Sequence, residues 1–176
     1  MNPISYWQRL KVAFQYVMPQ IYMTQAAGWL AKQKWGAVTH FVIKAFAKKY
    51  NIDMSIAEKE KFSDYASFNE FFIRPLKENA RPINQNPAAL CCPADGRVSE
   101  CGHIDDDRLL QAKGHFFSLN DLLAEDKDLT ETFKNGEFVT TYLSPRDYHR
   151  VHMPCDGTLR KMIYVPGDLF SVNPFL

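Results

Sequence analysis

The chain has 176 residues, of which 46% are hydrophobic, so it is long enough for one ordinary domain or two small ones and its composition excludes a disordered chain. Its net charge of +1 hides an asymmetry. Residues 1–50 carry seven Lys or Arg and no Asp or Glu, whereas the other 14 basic and all 20 acidic residues lie further along, a bias that indicates a membrane or nucleic-acid partner.

Cysteine spacing and hydropathy give weaker indications. The cysteines at positions 91, 92, 101 and 155 lack the paired Cys-x-x-Cys spacing of a zinc site, and we interpret them as small buried side chains in a reducing compartment. No uninterrupted apolar run reaches the roughly 18 residues that a membrane span requires, and no secretory cleavage pattern is visible. We therefore expect the chain to face the cytosol.

Apolar residues of the N-terminal third recur at three- and four-residue steps, which predicts amphipathic helices. Pro19 is expected to kink or end the first helix. The first apolar stripe comprises Ile4, Trp7, Leu10, Phe14, Val17 and Ile21. The second stripe comprises Val38, Phe41, Val42, Ala45 and Phe46, and it lies beside the basic residues Lys44, Lys48 and Lys49.

Two interpretations of these helices compete, since an amphipathic helix packs either on its own protein core or on a membrane. The acid-free composition favours the membrane, because an anionic bilayer attracts each Lys or Arg near its surface by about 1 kcal/mol. Side chains suited to the headgroup boundary also occur here, namely Trp7, Trp29, Trp35, Tyr6, Tyr16 and Tyr22. We expect a helical region that lies on a membrane without crossing it. Nucleic acid is disfavoured, because the basic residues accompany large apolar stripes.

The rest of the chain changes from helical to strand patterns. A third helix is predicted to begin at Ser67, which forms a capping box with Glu70, and to end before Pro75. A short helix is predicted at residues 118–123. Runs bounded by turn sequences predict strands at residues 97–104, 109–112, 137–143, 149–153 and 158–164. The fold class is therefore α+β, with N-terminal amphipathic helices (residues 1–66) followed by a mostly antiparallel β domain (residues 67–176).

Candidate functional residues cluster near the end of the chain, where Asp147, His149 and His152 fall within six residues. Strand alternation places Asp147 and His149 on one face and His152 on the other, unless a bulge intervenes. Three interpretations remain open from the residues alone. The histidines are structural or surface groups, a carboxylate orients an imidazole for general acid–base catalysis, or His-x-x-His with Asp binds a metal, although no strong fourth ligand lies nearby.

A Pro-x-Asp-Gly sequence occurs twice, at residues 93–96 and 154–157. Both copies are typical of tight turns in which the Asp side chain bonds its own backbone. Spacing alone does not distinguish Asp95 from Asp156 as a reactive group.

Several sequence blocks together resemble the bacterial phosphatidylserine decarboxylase proenzymes. The block from Tyr142 reads Tyr-Leu-Ser-Pro-Arg-Asp-Tyr-His-Arg-Val-His-Met-Pro-Cys, and the block from Val165 reads Val-Pro-Gly-Asp-Leu-Phe-Ser-Val-Asn. Upstream, Phe71 begins Phe-Phe-Ile-Arg-Pro-Leu-Lys, followed by Arg-Pro at residues 81–82, and Cys92 begins Cys-Pro-Ala-Asp-Gly-Arg-Val. The blocks stand in the order of the family from about residue 67 to the last residue.

The resemblance implies a carboxy-lyase that makes its own pyruvoyl group and uses it in phospholipid biosynthesis. In the family, the serine of a Leu-Gly-Ser-Thr motif attacks the preceding peptide bond, and the chain then splits to leave a pyruvoyl group at a new N-terminus. The ketone of that group condenses with the amine of phosphatidylserine and accepts the electrons released when carbon dioxide leaves. The product is phosphatidylethanolamine.

The resemblance also implies a role for each candidate residue. Asp95 and His152 match the aspartate and histidine of self-cleavage, with the histidine as base towards the serine. His149 matches the histidine linked to decarboxylation, and Asp147 would orient or polarise that site. No metal ligand is implied, and the resemblance selects Asp95 over Asp156.

This chain contains no Leu-Gly-Ser-Thr, so the resemblance implies that the serine that forms the pyruvoyl group lies beyond its end and that the β domain is incomplete at its C-terminus. We therefore expect the chain alone to be inactive. Its expected partners are phosphatidylserine, an anionic phospholipid membrane and a small subunit that bears the pyruvoyl group, with a homodimer left open, and its expected location is the cytoplasmic face of the cell membrane as a peripheral protein. The alternative is a non-catalytic fragment that binds or regulates at a membrane surface.

Overall fold

The structure is a computed structural model that describes residue 13 and residues 18–106, 108–111 and 115–166. The predictions for the first apolar stripe, apart from Ile21, and for the block after residue 166 lie outside these residues. The helices are α1 (Gln20–Ala31), α2 (Ala37–Tyr50), a 3₁₀ helix (Phe62–Asp64), α3 (Phe68–Phe72), α4 (Leu119–Leu122) and α5 (Lys127–Phe133). The strands are β1 (Ala94–Asp95), β2 (Arg97–His103), β3 (Arg108–Gln111), β4 (His115–Ser118), β5 (Glu137–Tyr142) and β6 (Tyr148–Val151).

The helical N-terminal region and the antiparallel strands that follow confirm the α+β prediction. Helix α1 begins directly after Pro19, and none of its 12 residues is buried. Helix α2 ends at Asn51, whose φ of 51° lies in the left-handed region that commonly terminates helices. Lys48 and Lys49 in its last turn complement the negative end of the helix dipole.

Helix α2 buries a different face from the one that its large apolar residues predict. Thr39, Ile43 and Ala47 are buried, at the four-residue spacing of a single helical face. Most of the predicted second stripe points away from the core, with Val38, Phe41 and Val42 exposed. The sequence pattern marks the apolar residues correctly but does not show which of two adjacent faces meets the core.

The main core lies where α2 meets the segment of residues 62–72. Ile43, Ala47, Tyr65 and Phe71 are buried there, and Phe46 and Phe68 pack against them. The rings of Tyr65 and Phe71 meet edge to face, with centroids 5.6 Å apart, and the Tyr65 hydroxyl donates to the Lys59 carbonyl at 2.6 Å. Burial raises the pKa of Tyr65. This core joins residues on both sides of residue 66, and the division of the chain at that point stays a prediction.

Helix α3 begins where the sequence predicts it. The Ser67 hydroxyl accepts a hydrogen bond from the Glu70 amide at 3.2 Å, and Glu70 Oε2 accepts one from the Ala66 amide at 2.9 Å. The first bond satisfies an amide that the first turn of the helix leaves without a partner, and the second satisfies the amide of the residue before the N-cap. Phe71 and Phe72 then follow on successive sides of the same turn, one in the core and the other near the candidate site.

The described strands form three antiparallel pairs, β1 with β6, β2 with β5 and β3 with β4. Strand β2 runs against β5 from the pair Arg97 and Tyr142 to the pair His103 and Glu137, with an irregularity between Val98 and Glu100. The strands predicted at 97–104, 109–112, 137–143 and 149–153 correspond to β2, β3, β5 and β6, although residue 112 is outside the described residues.

The strand predicted at residues 158–164 is wrong, because the structure assigns no strand there. Its apolar side chains are exposed, with Leu159 at 80% and Met162 at 85%, and no strand among the described residues pairs with it. An apolar or β-branched run between turns does not make a strand when its backbone has no strand partner. Strand β4 and helix α5 are present without having been predicted.

The cysteines are more exposed than the sequence predicts, and the helices agree with the absence of a long apolar run. The expectation of buried cysteines is wrong, because Cys92, Cys101 and Cys155 are exposed and Cys91 is half-buried. Within the described ranges, no helix has the length and apolar character that crossing a membrane takes.

Candidate active site

The site is organised by the turn between β5 and β6. The Ser144 amide and hydroxyl both donate to Asp147 Oδ2, each at 2.7 Å, and the Asp147 amide donates to the Ser144 carbonyl at 2.9 Å. Arg146 Nε lies 3.6 Å from the other carboxylate oxygen, Oδ1. The Asp147 side chain therefore fixes the turn through Ser144, the Asx-type bonding that Asp favours in turns.

His149 is held on two sides. Its Nε2 lies 2.9 Å from the Ser144 carbonyl oxygen, and its ring stacks on Phe72 with centroids 4.1 Å apart at an interplanar angle of 26°. Because a carbonyl oxygen only accepts hydrogen bonds, Nε2 carries the hydrogen. In the neutral ring, Nδ1 is then the basic nitrogen. The structure thus assigns the tautomer of a half-buried imidazole next to the Asp147 turn.

His152 lies at the end of β6 in a different environment. Its Nε2 is 3.0 Å from the Tyr148 hydroxyl, and the two rings stack with centroids 5.6 Å apart. Its backbone amide donates to the Pro93 carbonyl at 2.8 Å, which extends the pairing of β1 with β6. The side chain is exposed, so its Nδ1 is accessible from solvent.

Asp95 reaches the same place through strand pairing, since it lies opposite Tyr148 in the β1–β6 register. Its Oδ2 accepts a hydrogen bond from Arg81 Nη2 at 2.6 Å. The next residue must be glycine, because a Cβ on Gly96 would lie 2.5 Å from the Tyr142 carbonyl oxygen. At Gly157, in the second Pro-x-Asp-Gly sequence, the close atom is only the flexible end of Met153 at 3.0 Å.

The structure therefore gathers Asp95, Asp147, His149 and His152 on and beside one strand pair, but it does not pair them directly. Among the described residues, neither Asp95 with His152 nor Asp147 with His149 forms a hydrogen bond. The carboxylate of Asp147 reaches His149 only through Ser144, whose backbone both residues bind.

A cavity of about 230 Å³ opens beside this strand pair. Asp95, Asp147 and Tyr148 line it, and His149 and His152 do not. The remaining lining residues are Asn51, Asp53, Ile56, Arg74, Arg81 and Arg146. Its wall thus combines three guanidinium groups with three carboxylates.

These charged groups differ in how they are compensated. Hydrogen bonds from Ser55 lower the pKa of Asp53, and the bond to Asp95 raises the pKa of Arg81. Arg74 is only 2% exposed, and burial lowers its pKa. An arginine stays charged in spite of such a shift. Arg74 therefore contributes a buried positive charge to the wall of the cavity.

In the part of the chain that the structure describes, no group of three or more His, Cys, Asp or Glu side chains is arranged to hold a metal ion. The described site offers carboxylates and imidazoles instead. These residue types transfer protons.

Sequence reasoning missed several residues of this site. Arg74, Arg81 and Phe72 were part of the recognised blocks but received no role, and Ser144 stood next to the cluster. The sequence did contain one signal for Arg74, since this arginine comes just after the short, capped helix that contains three phenylalanines. An arginine there must be either solvated or bound to another part of the fold.

Comparison with known proteins identifies the family of the chain. A family model described as Phosphatidylserine decarboxylase matches residues 68–176, and a second model, described as PSD, matches residues 10–51. The first match covers more than half of the chain and includes all four candidate residues. The chain belongs to the phosphatidylserine decarboxylase family.

Curated relatives are similar along the whole chain. A phosphatidylserine decarboxylase proenzyme of Haemophilus influenzae is 89% identical over 176 residues, which is 100% of this chain and 61% of the relative. One from Pasteurella multocida is 79% identical over 173 residues, covering 98% of this chain and 59% of the relative. One from Mannheimia succiniciproducens is 77% identical with the same coverage. The chain thus spans about three fifths of the length of these relatives.

Proposed function

We propose that this chain supplies the proton-transferring residues of a phosphatidylserine decarboxylase, which converts phosphatidylserine to phosphatidylethanolamine with a self-generated pyruvoyl group. The observation that carries the proposal is the arrangement of His149. Its Nε2 is committed to the Ser144 carbonyl, its ring is fixed against Phe72, and Nδ1 remains basic. An oriented imidazole with one basic nitrogen is what proton delivery requires.

The residues present suit a pyruvoyl enzyme, although the chain contains no Leu-Gly-Ser-Thr sequence. When bound, the pyruvoyl group supplies the electron sink that side chains lack. The chain then has to bind the substrate, hold its reacting end and move protons. Ser144 is not assigned as the pyruvoyl-forming serine, because it lies in the block from Tyr142 and its hydroxyl bonds the Asp147 side chain that fixes the turn.

We assign His149 the delivery of a proton to the substrate carbon that loses carbon dioxide. Asp147 supports it by fixing the turn that carries the Ser144 carbonyl. Asp95 and His152 we assign to self-cleavage, with His152 as base. Their strand positions support this pairing, because Asp95 lies opposite Tyr148 in the β1–β6 register and the Tyr148 hydroxyl lies 3.0 Å from His152 Nε2.

The test uses the purified chain with and without the part of the Haemophilus influenzae relative that the match leaves uncovered, either fused or co-expressed. We expect no phosphatidylethanolamine from the chain alone, and both self-cleavage and product from the complemented protein. Mass spectrometry of the two fragments and of the lipid product measures these outcomes. Product from the chain alone that depends on Ser144 would contradict the assignment.

His149→Gln and His152→Gln separate the two roles in the complemented protein. We expect H149Q to cleave normally and to lose decarboxylation, and H152Q to remain uncleaved. Cys155→Ser is the matched control, because Cys155 lies in the same block but forms no hydrogen bond in the described structure. Normal decarboxylation by H149Q would refute the role of His149.

We also propose that α1 and α2 rest on an anionic membrane surface at the cytoplasmic face of the cell, as a peripheral contact. Exposed apolar side chains support this, including Trp29 at 60% and Phe41 at 72% exposure, and Lys44, Lys48 and Lys49 lie on the same helix as Phe41. Such a combination binds anionic interfaces.

Co-sedimentation with vesicles of phosphatidylserine and phosphatidylcholine, compared with phosphatidylcholine alone, tests the membrane contact. We expect Phe41→Ser to weaken binding several-fold, whereas Phe133→Ser, an exposed phenylalanine on α5, leaves it unchanged. Equal binding by wild type and F41S would exclude this face. Vesicle binding without activity in the complemented protein would favour the alternative function, a non-catalytic membrane-binding fragment.

A further inference from the structure

Three consecutive residues at the end of α3 contact the segment that carries His149. The Phe72 ring stacks on the His149 ring, the Ile73 carbonyl accepts from Arg150 Nε at 2.7 Å, and Arg74 Nη2 donates to the Arg146 carbonyl at 3.3 Å. These contacts bridge more than 70 residues of chain. The segment Phe72–Arg74 therefore forms a cradle under the residues on either side of His149.

Arg74 is the unusual member of this cradle. It is 2% exposed, yet Nε and Nη1 have no hydrogen-bond partner among the described residues. These two atoms carry three of the five N–H groups of a guanidinium. Its Cζ lies 5.4 Å from the centroid of the Phe71 ring, so the core aromatic compensates part of the charge.

Burying a guanidinium without a carboxylate bonded to it is unfavourable, and an apolar side chain would fill the same space without that cost. A contribution to stability alone therefore does not explain an arginine here. Its one side-chain hydrogen bond among the described residues goes to the turn that carries Asp147, and both Asp147 and Asp95 lie near enough to interact with its charge. Both the side-chain hydrogen bond and the charge of Arg74 therefore act on residues of the candidate site.

The contacts continue from Arg74 to the imidazole. Arg74 holds the Arg146 carbonyl, and Asp147 bonds Ser144 across the same turn. The Ser144 carbonyl then fixes Nε2 of His149. We propose that Arg74 is a positioning residue, which acts through the turn of residues 144–147 to hold His149 with Nδ1 as its basic nitrogen. The expected effect of Arg74 on kcat rests on the proposed function, whereas its expected effect on the orientation and tautomer of His149 does not.

The experiment uses the chain complemented with the uncovered part of the Haemophilus influenzae relative. Arg74→Met removes the hydrogen bond and the charge, and Arg74→Lys keeps the charge and one flexible donor. Lys59→Met is the matched control, because Lys59 also stands over a core aromatic, Tyr65, and pairs with Glu70 on α3, but touches nothing in residues 144–152.

The kinetic measurement is kcat per titrated pyruvoyl carbonyl, with KM for phosphatidylserine. Because displacing a catalytic group by about 1 Å costs on the order of 100-fold, we expect R74M to lower kcat by about 10- to 100-fold with KM nearly unchanged. R74K should recover most of that loss. K59M should lower the melting temperature without changing kcat, which separates positioning from stability.

The spectroscopic measurement does not depend on activity. Nitrogen-15 NMR of labelled histidines, with the His149 signals assigned by H149Q, reports which ring nitrogen carries the hydrogen. We expect the Nε2-protonated form in wild type and K59M, and a mixture of tautomers in R74M. If R74M does not fold, R74K still shows a partial shift.

Two results would overturn the inference: an unchanged His149 tautomer in both R74M and R74K, or a wild-type kcat per active site in R74M with only reduced stability. Absence of decarboxylation in the wild-type complemented protein would instead defeat the proposed function. The NMR result would still decide whether Arg74 positions His149.

Discussion

Arg81 Nη2 donates a hydrogen bond to Oδ2 of Asp95 at 2.6 Å, so the aspartate proposed for self-cleavage is held by an arginine 14 residues earlier in the chain. The guanidinium also bonds its own neighbour, because Nη1 donates to the Ala80 carbonyl at 2.8 Å. Both side chains are partly exposed, at 50% for Arg81 and 34% for Asp95. The pair orients Asp95 without burying it.

We predict that Arg81→Gln slows self-cleavage of the complemented protein by a few-fold, because Asp95 loses the charged donor that fixes its carboxylate. Asp95→Asn should block cleavage almost completely. The fraction cleaved over time, followed by gel electrophoresis, measures both effects. Lys77→Gln is the control, since Lys77 forms a similar exposed ion pair, but with Glu60 and not with Asp95. Equal slowing by R81Q and K77Q would refute a specific role for Arg81.

Ser144 offers a second prediction, because its hydroxyl is one of two donors to Asp147 Oδ2 and its amide is the other. Ser144→Ala removes one donor and leaves the Ser144 carbonyl that binds His149. We expect activity to fall by about 10- to 100-fold, consistent with the loss of about 1.5–3 kcal/mol for one hydrogen bond to a charged group. Ser144→Thr, which keeps the hydroxyl, should be closer to wild type. Complete loss of self-cleavage in S144A would mean that Ser144 is a reacting group.

Two phenylalanines, one in the core and one on the surface, should contribute differently to the free energy of unfolding. Phe71 is fully buried against Tyr65 and Ile43, whereas Phe41 is 72% exposed on α2. We expect Phe71→Ala to lower the free energy of unfolding by about 3–5 kcal/mol through the cavity that it leaves. Phe41→Ala should change it by less than about 0.5 kcal/mol. Urea denaturation followed by circular dichroism measures both, and similar losses in the two variants would show that Phe41 is also packed.

Local chemistry made the turns and helix starts predictable from sequence. Ser67 caps α3 as expected, because a serine hydroxyl and a glutamate three residues later satisfy amides that no other group reaches. Strands β2 and β5 were predictable because apolar and β-branched runs stand between turn residues. In each case the deciding interaction lies within a few residues of sequence.

Features that depend on distant partners were not predictable in the same way. Residues 158–164 contain apolar and β-branched side chains between turn sequences but pair with no strand in the described structure, and α2 turns Ile43 rather than Phe41 to the core. At the candidate site, sequence grouped Asp147, His149 and His152 but gave no sign that Arg74 reaches Arg146, 72 residues away. Burial of a charged side chain is decided by the tertiary fold, and the residue type alone predicts the opposite.

The ion pair of Glu70 with Lys59 predicts a pH dependence of stability. Lys59 Nζ lies 2.6 Å from Glu70 Oε1, and this bond, followed by the Ala66 amide, lowers the pKa of Glu70 below its ordinary value of 4.5. A carboxyl group whose pKa is lower in the folded than in the unfolded state stabilises the fold above the unfolded pKa. That contribution disappears as the pH falls through the folded pKa.

We therefore expect Glu70→Gln to lower the free energy of unfolding at pH 7, by no more than about 1 kcal/mol because both side chains are more than one third exposed. The difference between E70Q and wild type should shrink below about pH 4.5 and vanish near pH 2, where both proteins carry a neutral side chain at this position. Urea denaturation at pH 7, 4.5 and 2 measures the trend.

Glu60→Gln is the control. It breaks the exposed pair with Lys77 outside α3, and it should have a smaller effect at pH 7 because Glu60 caps no helix. A pH-independent deficit in E70Q would mean that Glu70 stabilises α3 through packing, since neither its charge nor its bond to Lys59 would then account for the loss.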